Sequence, residues 1–255
     1  MTLDLREIVA VDIPVPLATL WPYLREPDLV RRWYGWDHEL LDGEIRTVFG
    51  TGPVEAHDVV GESTIRTLTW PHHDVMVTAR SSVSLPGHTR LSVTRRSHQG
   101  EAVFDGIRDE VDEGWIAFVH QLAFAVTVHP GEERRTLSVF GLDAGGPGDR
   151  LLDHAGIAGI RSVPVGGHVQ ARRPDGTLLG GTIDYMTPMQ FGLRLHGISA
   201  IYFVIMETPA AAAPPHGTVG AILSTYGLDP GTFDEVRERW DAWWAASMPR
   251  AVRTL

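Results

Sequence analysis

Phe104-Asp105-Gly106-Ile107-Arg108-Asp109-Glu110-Val111, followed by Trp115, is echoed by Phe233-Asp234-Glu235-Val236-Arg237-Glu238-Arg239-Trp240, followed by Trp244. Both stretches read Phe-Asp-x-aliphatic-Arg-acid-x-apolar-x-x-x-Trp, and they are offset by 129 residues in a chain of 255. Self-similarity at a fixed offset points to a repeated architecture; the competing reading is coincidence between two amphipathic helices. In the first, Phe104, Ile107, Val111, Trp115, Phe118, Leu122 and Val126 recur at steps of three or four. In the second, Phe233, Val236, Trp240, Trp244 and Met248 do the same. That period predicts two helices, each with one face to bury. At about 1.5–3 kcal/mol per large side chain, each face offers on the order of 10 kcal/mol of gross stabilisation. Asp105, Asp109, Glu110, Asp112 and Glu113 crowd the start of the first helix, where the dipole favours acids. They read as a solvated helix start rather than as catalytic carboxylates.

Before the first helix, and again between the two, the period changes to two. Val75, Val77 and Ala79 alternate, Pro86-Gly87-His88 signals a turn, and Leu91 and Val93 alternate again, which predicts an antiparallel hairpin. Later, Val169 and Ala171 precede the turn Arg173-Pro174-Asp175-Gly176. Phe191, Leu193 and Leu195 alternate with Gly192 and Arg194, Ile201 to Met206 is densely apolar, and Val219 to Thr225 forms a last strand. Pro209 to His216 reads as a loop. Each half therefore runs strand, short helical region, antiparallel strands, long helix, an α+β layer arrangement. His129-Pro130-Gly131-Glu132 breaks the first helix, which places the boundary between residues 1–129 and 130–255.

Composition excludes several chemistries. There is no cysteine, hence no disulfide, thiolate nucleophile or Cys-based metal site. There is no lysine either, hence no Schiff-base or P-loop lysine. Asparagine is also absent, a usage that fits a GC-rich bacterial genome. A formal net charge of −10 without lysine makes a poor nucleic-acid binder. No apolar run approaches the roughly 20 residues of a membrane span. Asp4 and Arg6 interrupt the start of the chain, which argues against a secretory signal, so cytoplasmic residence is expected.

Pro16-Leu17-Ala18-Thr19-Leu20-Trp21-Pro22-Tyr23-Leu24, then Glu26-Pro27-Asp28-Leu29-Val30-Arg31-Arg32-Trp33-Tyr34, resembles the paired short helices of the SRPBCC (START-like, helix-grip) superfamily. The likeness is to its branch named for the activator of the ninety-kilodalton heat-shock protein's ATPase. Gly114-Trp115, followed by Val119, Leu122 and Val126, is similar to that branch's C-terminal helix. The second half departs from the pattern, lacking the Asp-Pro turn and terminal Trp, and Pro22 breaks the helical rule in the first. The resemblance implies two tandem helix-grip domains, each a curved antiparallel sheet wrapped around a long C-terminal helix, with an apolar cavity between.

The candidate ligand-binding residues are Trp33, Tyr34, Arg108, Val111 and Trp115 in the first half, and Tyr185, Tyr202, Arg237, Trp240 and Trp244 in the second. Arg108 and Arg237 hold matching places at the edge of the buried face, where a guanidinium could grip an anionic oxygen or snorkel to solvent. The aromatic residues could line a cavity or fill it. His72-His73-Asp74 lacks a metal-ligand spacing, so no metal and no cofactor is expected. The expected function is binding of a small lipophilic or aromatic molecule. The alternatives are a polyketide cyclase/aromatase-type enzyme and a chaperone co-regulator module, with a homodimer or protein partner.

Overall fold

A computed structural model describes residues 5–71, 74–96, 109–197 and 199–248. The chain divides into two compact units, Met1–Arg134 and Arg135–Leu255. The first opens with strand β1 (Leu5–Ile13), followed by three short helices, α1 (Leu17–Tyr23), α2 (Pro27–Val30) and α3 (Leu41–Ile45), and a π-helical stretch, Arg46–Thr51. Strands β2 (Val54–Val60), β3 (Ser63–Trp70), β4 (Val75–Ser81) and β5 (Thr89–Arg96) form a meander, and helix α4 (Glu110–Val128) closes the unit. The second repeats the order: β6 (Arg134–Asp143), α5 (Leu151–His154), a 3-10 turn (Ala158–Ser162), β7 (His168–Arg172), β8 (Leu178–Met186), β9 (Gln190–Leu195), β10 (Ile201–Thr208), β11 (Thr218–Tyr226) and α6 (Pro230–Ser247).

The fold is α+β with two antiparallel sheets, ordered β1-β5-β4-β3-β2 and β6-β11-β10-β9-β8-β7. In each, the first strand of the unit pairs with the last strand of the meander. The β4–β5 hairpin has the expected register, with Val77 opposite Val93 and Ala79 opposite Leu91. Those four side chains are buried, as the alternation requires. Among the described residues no helix is long and apolar enough to cross a membrane.

Phe104 to Arg108 lie outside the described residues, as do His72 and His73. Helix α4 starts at Glu110, with the Asp109 side chain accepting from the backbone N–H groups of Val111 and Asp112. The expected solvated start is overturned. Asp109, Asp112 and Glu113 are buried. Arg95 on β5 reaches both Asp109, at 2.8 Å, and Asp112, at 3.2 Å. Arg6 on β1 pairs with Asp112 as well. Charge pairing between helix and sheet turns the Asp112 side of the helix inward, and Val111, expected in the apolar face, is 40% exposed. Pro22 falls in the last turn of α1, next to its end, and does not split it.

Candidate functional site

Beneath α4 the space is occupied by rings. Phe49, fully buried on the π-helical stretch, meets Trp33 at 5.6 Å, Tyr34 at 4.9 Å, Trp70 at 5.6 Å and Trp115 at 6.5 Å between centroids. Such edge-on pairs add to the area they bury. The Trp33 indole donates to the Tyr23 carbonyl at 2.7 Å, and the Tyr34 hydroxyl donates to Glu44 at 2.7 Å. Burial, with Glu44 adding to it, pushes the Tyr34 hydroxyl far above its ordinary value. On this unit's surface a shallow groove runs beside Leu17, His57 and Arg66. Its guanidinium is already engaged, pairing with Glu55 and lying 4.1 Å over the Trp21 ring.

Beneath α6 a cleft of about 210 Å3 remains. The helix presents Thr232, Val236, Arg239, Trp240 and Trp243 to it, a stripe at steps of three, four and one along a single face. Opposite stand Leu179 of β8, Leu195 of β9, Ile201 of β10 and Leu223 of β11. Arg173 and Thr177 enter from the β7–β8 turn, and His196 and Ser199 from the β9–β10 turn. The floor is rigid: Trp243 donates from its indole to the Ala155 carbonyl at 3.0 Å, and Trp240 and Trp243 meet Phe203 at 6.0 and 5.6 Å.

The polar character of the cleft is one-sided. Among the described residues no carboxylate lines it, whereas two guanidiniums do. Arg173 lies 4.6 Å over the Trp243 ring, and its buried Nε has no hydrogen-bond partner among the described residues. Burial pushes its pKa down; Asp175 opposes that, and the nearby Arg239 charge reinforces it. The Asp175 carboxylate is itself committed, accepting from the Thr177 backbone N–H at 2.8 Å and from its hydroxyl at 2.7 Å. His196 hydrogen-bonds through Nε2 with Thr182, which also meets His168.

Of the sequence candidates in this unit, the structure brings Trp240 to the cleft. Trp244 is buried behind it, 5.5 Å from Trp240 and 5.1 Å from Trp243. Arg237, expected at the edge of the buried face, is half exposed and pairs with Asp234 one turn back, at 2.9 Å. Tyr185 and Tyr202 stand across from Gly192 on the sheet face opposite α6, because Phe191, Leu193 and Phe203 take the helix side. A register shift between Ile183 and Tyr185 completes that placement. The sequence reading missed Arg173 and Arg239. Arg239 had a usable signal, as the one charge between Val236 and Trp243 on their shared stripe. Arg173 had none, since it reads as part of a turn.

No family model matches this chain, and no curated protein matches it. Solved structures do match, among them the following three. The chain is 15% identical to DynU16, a protein of the dynemicin biosynthetic locus, over 96% of both chains, with a TM-score of 0.29. It is 10% identical to the di-domain ARO/CYC StfQ from the steffimycin biosynthetic pathway, over 94% of both, with a TM-score of 0.34. It is 11% identical to the di-domain ARO/CYC BexL from the BE-7585A biosynthetic pathway, over 96% of this chain and 91% of that one, with a TM-score of 0.29.

Proposed function

We propose that the chain is a tandem pair of helix-grip domains, residues 1–129 and 130–255, whose second member binds a small lipophilic or aromatic molecule beneath its C-terminal helix. The observation that carries this reading is the cleft walled by Trp240, Trp243, Leu179, Leu195, Ile201 and Leu223. An apolar cavity of about 150 Å3 accepts benzene. At about 210 Å3 this one suits a two-ring aromatic or a short acyl chain. Calorimetric and thermal-shift titration with two-ring aromatic probes tests the reading. Saturable binding is expected, and Val236→Trp, which fills the cleft from the helix side, should abolish it. A wild-type protein whose melting temperature never moves across such probes would refute the reading.

A further inference from the structure

A half-buried guanidinium whose inner N–H finds no acceptor, set near a second cation, is an arrangement that a bound anion would complete. Arg173, half-buried on the β7–β8 turn, and Arg239, exposed on α6, line facing walls of the second unit's cleft. Neither has a carboxylate within ion-pair distance among the described residues. Elsewhere in the unit Arg161 is bound to Glu207, Arg194 to Asp184 and Arg237 to Asp234, while Arg135 lies over the Phe233 ring and Arg172 donates to the Gly176 carbonyl. The Trp243 ring lies beneath Arg173, and the nearby Asp175 is turned to Thr177. The buried Arg173 Nε is left as an unanswered donor. Around these two cations every other wall of the cleft is apolar or neutral-polar, apart from His196.

We infer that the cleft takes a small aromatic or acyl carboxylate, its apolar body against Trp240 and Trp243 and its carboxylate held between the guanidiniums of Arg173 and Arg239. The inference rests on the binding reading above and specifies the ligand's chemical class. A carboxylate supplies the acceptors that both guanidiniums lack. Charge-assisted bonds of this kind are the strong ones, and a planar guanidinium matches a carboxylate edge to edge. Two cations, rather than one, also select an anion over a neutral hydrogen-bonding group, because a neutral group leaves their mutual repulsion in place.

The test compares 2-naphthoate with its neutral isostere 2-naphthamide by isothermal titration calorimetry at neutral pH. Wild-type protein should bind the acid about tenfold or more tightly than the amide. Arg173→Gln and Arg239→Gln should each shrink that preference to about twofold or less, and Arg237→Gln should leave it intact. Equal binding of acid and amide by the wild type overturns the carboxylate assignment and leaves the lipophilic-binding reading standing. Binding of neither compound overturns both. The wild-type comparison decides the matter even if an arginine variant fails to fold.

Discussion

Helices α4 and α6 close sheets of the same connectivity, yet what lies beneath them differs. Under α4, four rings pack against Phe49, and the helix start is tied to the sheet by Arg95 and Arg6 through Asp109 and Asp112. Under α6, three tryptophans crowd one side and leave a cleft on the other, with arginines unanswered by acids. In the first unit Arg95 and Arg6 are paired with Asp109 and Asp112, whereas in the second Arg173 and Arg239 have no acid within ion-pair distance among the described residues. Sheets of the same strand order, one of five strands and one of six, can therefore cover a filled or an open space, depending on whether one large side chain from the helical connection reaches the space under the long helix. In the first unit that side chain is Phe49.

The comparison can be broken most sharply at that residue. Phe49→Ala should cost about 3–5 kcal/mol, read as a lowered urea midpoint. In a Val236→Trp background, where the natural cleft is filled, it should also create a new site for 2-naphthamide in the first unit. A cost below about 1 kcal/mol with no new binding would mean that the rings do not fill the first unit as a packed set.

A smaller effect is expected at the back of the second sheet. A Cβ at Gly192 would overlap the Tyr185 ring and lie 2.8 Å from the Tyr202 hydroxyl. Gly192→Ala should therefore destabilise by about 1–3 kcal/mol, read by thermal melting. The affinity of the cleft on the other face should change little, and a large loss of binding would show that the two faces are coupled.

The smallest effect is alkaline and common to both units. Burial, then Glu44, raises the Tyr34 pKa; burial, then the Asp184 charge, raises that of Tyr202, whose hydroxyl donates to Asp184 at 2.7 Å. The folded chain thus holds protons that the unfolded chain loses above its ordinary value of 10.0. Their stabilisation is complete below that pH and is lost as pH rises beyond it. Tyrosinate absorbance should leave these two residues silent until alkaline unfolding, and Tyr34→Phe should flatten part of the stability loss. A native-state titration of all tyrosines at the ordinary value would contradict the burial of both hydroxyls.

Much of the framework is legible in the residues. The step of three and four in Trp115, Leu122 and Val126, and in Phe233, Val236 and Trp240, marks both long helices. The alternation of Val75, Val77 and Ala79 marks a half-buried strand. Val111 and Arg237 were misplaced because periodicity gives a face only to within a turn. At a helix start, ion pairs such as Asp112 with Arg6 and Arg95 choose which side turns inward. Tyr185 was misplaced because one residue of register shift in β8 sends a side chain to the other face.

By itself, the sequence determined which segments become strands and helices, because those depend on local periodicity and turn chemistry, and it removed lysine, thiolate and disulfide chemistry by omission. Only tertiary structure decided which of two similar helices would cover a filled space and which an open one. Whether an aromatic ring fills a space or borders it depends on its neighbours across the sheet. Arg173 shows the same limit for charge: it reads as part of a turn, and it becomes half of a cationic pair only when the fold brings α6, with Arg239, against it.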